Sequence, residues 1–81
     1  MQIVLKHITY QIKNGYAAHS PELGLTAHGY SPEVAQRNLE RLGLLFFRPF
    51  ERQGKLTDEV ELLGLKAEAD GADLKITITT S

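Results

Sequence analysis

Eighty-one residues without cysteine make one small domain, expected over 1–81, whose thin core can draw on neither disulfides nor a thiolate metal site. At 42% hydrophobic and 23% charged the chain is not of disordered type, and no apolar run nears the ~20 residues of a bilayer span. The net charge of −1 divides into +2 over residues 1–48 and −3 over 49–81, with no Lys/Arg excess, so direct nucleic-acid binding is not expected.

The opening MQIVLKHITYQIKNG alternates and reads as a strand rather than a secretion signal, in keeping with a cytoplasmic location. Ile8, Tyr10 and Ile12 repeat with period two and define a half-buried face. Ile3 and Leu5 fall on the opposite phase, which calls for cover on both faces or a bulge near Lys6–His7. Asn14-Gly15 signals a hairpin. A two-residue loop would pair Lys13 with Tyr16 and bring His19 onto the face of Ile8. A three-residue loop, Lys13-Asn14-Gly15, pairs Ile12 with Tyr16 and is preferred. It sets Tyr16, Ala18 and Ser20 on the apolar face and sends Ala17 and His19 to the other with Thr9 and Gln11.

Pro21-Glu22-Leu23-Gly24 is the next turn, with Leu23 folding back on the core. Leu25, Ala27 and Gly29 form the inner face of a third strand, Thr26 and His28 its outer face. Ser31-Pro32-Glu33 opens a long helix by cap, first-turn proline and dipole. Ala35, Leu39, Leu42 and Phe46 follow at helical spacing. Pro49 is expected to kink or end this helix, with Gly54 as the final stop. Thr57-Asp58-Glu59 starts a short second helix ending at Gly64. Leu65–Ala69 and Leu74–Thr80 read as a closing hairpin around Asp70-Gly71, with Leu74, Ile76 and Ile78 facing in. The resulting class is α+β: an antiparallel β-β-β-α-α-β-β sheet with a long helix on one face.

Little in this order carries chemistry. His7, His19 and His28 are expected on the outer sheet face, with His19 and His28 as diagonal neighbours. A small metal-dependent hydrolase built on them is an alternative, but no HExxH-like spacing supplies a ligand set, so no metal or cofactor is expected. Ser20 alternates away from His19 and lacks a GxSxG elbow, so no nucleophile and no catalytic residue is assigned. The acids Asp58, Glu59 and Glu61 suit a helix start. The run Leu44–Phe47, with Phe50 beyond, is wider than the ~100° stripe one sheet can cover. Phe46, Phe47 and Phe50 are therefore the expected partner or oligomer contacts.

The string GYAAHSPELGLTAHGYSPEVAQRNL resembles the N-terminal domain of HicB-type antitoxins. The positions that carry the likeness are Gly15, Tyr16, Ala18, Pro21, Glu22, Leu23, Gly29, Ser31, Glu33, Ala35, Asn38 and Leu39, within residues 8–45. Most of them are structural. The resemblance implies a degraded ribonuclease H-like fold without catalytic carboxylates, self-association into a homo-oligomer, and steric inhibition of a small, basic, HicA-type ribonuclease toxin. Leu23 is followed by Gly24-Leu25 where the family has Pro-Gly, which shortens the turn by one residue. The chain ends in KITITTS, so a helix-turn-helix or ribbon-helix-helix, and with it repression of its own operon, is not expected. The alternative within this reading is a self-assembling orphan domain with no toxin.

Overall fold

The computed structural model describes residues 1–80; the last position of the expected 1–81 domain lies outside them. The fold is α+β. Its elements are β1 (Gln2–Ile12), β2 (Gly15–Ser20), β3 (Leu25–Gly29), α1 (Pro32–Arg52), α2 (Leu56–Leu63), β4 (Lys66–Glu68) and β5 (Lys75–Thr80). The path β3-β2-β1-β4 is antiparallel throughout, and β5 joins β1 in parallel.

β1 organises the sheet. Its second half, Ile8–Ile12, pairs with β2, while its first half carries β4 and β5. Between the β2 and β4 ladders the Lys6 amide donates to Glu22 Oε1 at 2.7 Å, so a turn carboxylate completes that edge. The expected closing hairpin does not form. β4 and β5 bracket the first half of β1, because the chain start is held in the loop between them. The Met1 ammonium donates to Ala72 O at 2.8 Å and the Lys75 amide donates to Met1 O at 3.0 Å.

The register of the first hairpin also differs from both expected ones. The loop is Lys13-Asn14, and Ile12 pairs with Gly15. Tyr16, Ala18 and Ser20 face the helix as expected, but so do Thr9 and Gln11. Ile8, Tyr10 and Ile12 move to the opposite face, with His19 across from Ile8. Ile3 and Leu5 are fully buried in the same phase as His7, so β1 needs no bulge.

Two clusters make the core, both beneath the helical layer. The larger is Ile3, Leu5, Phe47, Val60, Leu65, Leu74 and Ile76, with Leu23 folded onto it as expected. The smaller is Ala18, Ala27, Ala35 and Leu39. Its alanines let the first half of α1 lie close to the meander, and Gly43 admits Leu5 and Ile76 in the same way further along. Each fully buried large side chain contributes ~1.5–3 kcal/mol.

The helix ends follow local chemistry. Ser31 is extended and its Oγ accepts from the Val34 amide at 3.2 Å. Pro49 neither ends nor interrupts α1, which runs on to Arg52. The carbonyl that its missing N–H leaves free belongs to Leu45, on the solvent side, where water can satisfy it. α1 closes with Lys55 N–H to Phe50 O at 2.8 Å and Gly54 N–H to Glu51 O at 3.1 Å. α2 repeats the arrangement with Leu65 to Val60 and Gly64 to Glu61, so both expected glycine stops hold.

Candidate protein-interaction surface

With both helices on one side, the other face of the sheet has no covering layer among the described residues. Cross-strand partners share a face, so the register decides what is displayed there. The β1 half that pairs with β2 shows Ile8, Tyr10 and Ile12, beside Ala17 and His19 of β2 and Thr26 and His28 of β3. Ile8 is 46% and Tyr10 45% exposed, high values for residues in the middle of a strand. Ala17 is fully buried beneath its neighbours and gives the strip a closed floor. The other half of the face is mostly polar, with Gln2 and the lone apolar Val4 of β1 beside Lys75 and Thr77 on one flank and Glu68 and Lys66 on the other. Gln2 Nε2 donates to Thr77 Oγ1 at 2.8 Å.

The three histidines do different things. His7 is a correction to the expected outer placement: it is buried under the helices, with Nδ1 2.6 Å from Thr79 O. A carbonyl only accepts, so Nδ1 carries the proton in this bond. His19 and His28 lie on the open face as diagonal neighbours, as expected, since their partners are Thr26 and Ala17. His19 Nδ1 lies 2.8 Å from Thr26 Oγ1. With His7 on the other face, the three cannot converge, and no group of three His, Cys, Asp or Glu fit to hold a metal occurs among the described residues. Ser20 is fully buried, and its Oγ accepts from the Leu23 amide at 3.4 Å.

The phenylalanine expectation needs correction. Phe47 is fully buried in the main cluster and cannot contact a partner. Phe46 packs edge-on against it at 5.0 Å between ring centroids, and Phe50 lies 5.8 Å from Phe46; both are half-buried against the core. The short second helix, through Val60, and β5, through Ile76, supply the cover that a single sheet face would not. The helical leucines left in water are Leu45 and Leu62. Sequence reasoning missed the strip of Ile8 and Tyr10 because it assigned those residues to the core. Their period-two spacing was the available signal, and it marks a face without saying which one is covered.

The resemblance positions hold the meander and helix together. Gly15 and Gly29 meet at the end of β2 and β3, and Tyr16 pairs with Gly29. Pro21, Glu22 and Leu23 form the turn that seals the β1 edge. Ser31 caps α1, Ala35 fills the small core, and Asn38 Nδ2 donates to His28 O at 2.8 Å.

Comparison with family models, with curated proteins and with solved structures gave no match to the chain. Among the described residues, no helix is long and apolar enough to cross a membrane.

Proposed function

We propose that this chain is a non-enzymatic protein-binding module, a HicB-like antitoxin or orphan relative that covers the active surface of a small HicA-type ribonuclease. The observation that carries the reading is the open strip of Ile8 and Tyr10, two large side chains left about half in water on a strand whose helix-side residues Ile3, Leu5 and His7 are buried. Exposed apolar side chains grouped on one face mark interaction sites more often than isolated ones do. A rigid aromatic with a hydroxyl, such as Tyr10, suits an interface anchor. Inhibition is then steric and needs no reacting group from this chain. The resemblance over residues 8–45 supports the choice of partner class.

The test is recovery of the tagged chain from its native lysate. A small basic protein should elute with it in near-equal amount, cleave RNA once freed by denaturant, and lose that activity when the chain is added back. Ile8→Asp with Tyr10→Asp should abolish the recovery. Isolation of the wild-type chain with no such protein would overturn the toxin reading.

A further inference from the structure

We infer that the chain assembles head to tail, with Leu62 on the acidic helix α2 of one copy seated in the basic groove beside β5 of the next. The groove lies between α1 and β5, is open to solvent and offers about 280 Å³. Leu44, Leu74 and Ile76 line its depth, while Arg37, Arg41 and Lys75 stand around it with one carboxylate, Glu40. Arg37 and Arg41 are one helical turn apart, and Leu45, 68% exposed, prolongs their stripe by another.

The complementary feature is on the same chain. α2 carries Asp58, Glu59 and Glu61 and no basic residue. Its inner side is spent on Val60 in the main core, while Leu62 stands 80% exposed one turn after Asp58. The ion pairs among the described residues are Met1–Asp70 and Arg48–Glu51, so neither the three groove cations nor the acids of α2 are paired within the chain. An apolar knob flanked by carboxylates thus matches an apolar socket flanked by cations.

One chain cannot join the two. α2 lies beside β4, where Thr57 and Glu61 share a cleft with Ala67 and Ala69. β4 and β5 lie on opposite edges of β1. Knob and socket therefore face different ways, which makes the contact heterologous: it closes as a ring or grows as a row. The groove meets the polar half of the open sheet face at Lys75 and lies apart from the strip of Ile8 and Tyr10, and the inference does not rest on the toxin reading.

Sedimentation velocity on the purified chain tests it. The mass should exceed that of a monomer, rise with concentration, and fall between about 50 mM and about 500 mM salt, as screened ion pairs require. Leu62→Asp loses the knob and keeps the socket; Arg37→Glu with Arg41→Glu does the reverse. Each should associate at least tenfold more weakly than wild type. An equimolar mixture of the two should form a 1:1 dimer and nothing larger, since one productive contact remains. All three positions are exposed, so folding is preserved, and Leu62→Gln reads the same contact should the aspartate unfold the chain. A wild-type chain that stays monomeric, variants that assemble as it does, or a mixture that yields no dimer would each overturn the inference.

Discussion

Gly15 and Gly29 meet backbone to backbone: a Cβ placed on Gly15 would lie 2.6 Å from Gly29 O. Gly15 also has φ +154°, which L side chains rarely adopt. Gly29 in turn faces the first turn of α1, where its own Cβ would come 2.5 Å from the Ala35 amide nitrogen and 2.8 Å from Val34. Two glycines therefore stack β2, β3 and α1 at one corner. Gly15→Ala and Gly29→Ala should each destabilise the fold by about 3 kcal/mol, since backbone cannot move aside as a side chain can. Urea unfolding checks this, and a loss under about 1 kcal/mol at either position would contradict the close packing.

Glu22 does the work of a missing strand residue. Its Oε1 accepts from the Lys6 amide where neither β2 nor β4 reaches β1. Glu22→Ala should cost about 1 kcal/mol, because the bond is solvent-exposed and water replaces part of it. Glu22→Gln keeps an acceptor and should cost less. The sharper readout is amide hydrogen exchange, which should accelerate at Lys6 in the alanine variant while the Tyr10 and Ile12 amides, which share its edge and pair with β2, keep their protection.

The corner glycines show where sequence reasoning reached and where it failed. Caps and stops such as Ser31, Gly54 and Gly64 are legible because their partners lie within a few residues. The first hairpin was not, because Gly15 is required by Gly29 on another strand rather than by the turn that Asn14-Gly15 suggests. That single register decides which of Ile8 and Thr9 faces the helix, and with it the identity of the candidate surface. β1 dividing β4 from β5 is equally non-local: it depends on the Met1 backbone reaching Ala72 and Lys75. The burial of His7 follows from the same pairing, as it shares the inward phase of Ile3 and Leu5.

Leu45 and Phe47, two residues apart on α1, should behave oppositely. Phe47 is fully buried and Leu45 is 68% exposed. Phe47→Ala should cost about 3–5 kcal/mol by removing contacts and leaving a cavity. Leu45→Ala should change stability by less than about 0.5 kcal/mol. Thermal melts of the dilute protein separate the two, and equal effects would place α1 in a different rotation on the sheet.

The open strip makes a prediction about folding as well as binding. Ile8→Thr keeps a β-branched side chain on a half-exposed site and should cost less than about 1 kcal/mol. Ile3→Thr, a few residues earlier on the same strand but fully buried, puts an unpartnered hydroxyl in the main cluster and should cost about 3 kcal/mol. Chemical denaturation of both variants measures the difference. A large loss at Ile8 would mean that the face is covered in the isolated protein, and the strip would no longer be available to a partner.

Asp70 ties the loop between β4 and β5 to the chain start. Its carboxyl is held below the ordinary aspartate range, first by the Ala72 amide donating to Oδ1 at 3.0 Å and then by the Met1 ammonium at 3.2 Å. A carboxylate with a depressed folded-state pKa adds stability above its unfolded value of about 3.8. That contribution is lost as pH falls through the lower folded value. Asp70→Asn removes the charge at every pH. The melting temperature of wild type should therefore exceed that of the variant near pH 6, and the two should converge as both are taken to about pH 2. Because the site is solvent-exposed, the gap should be small and should narrow further with salt. A gap that stays constant down to the lowest pH would show that the hydrogen bond to Ala72 holds the loop through geometry rather than charge, and that the Met1 ammonium contributes nothing to the position of β5.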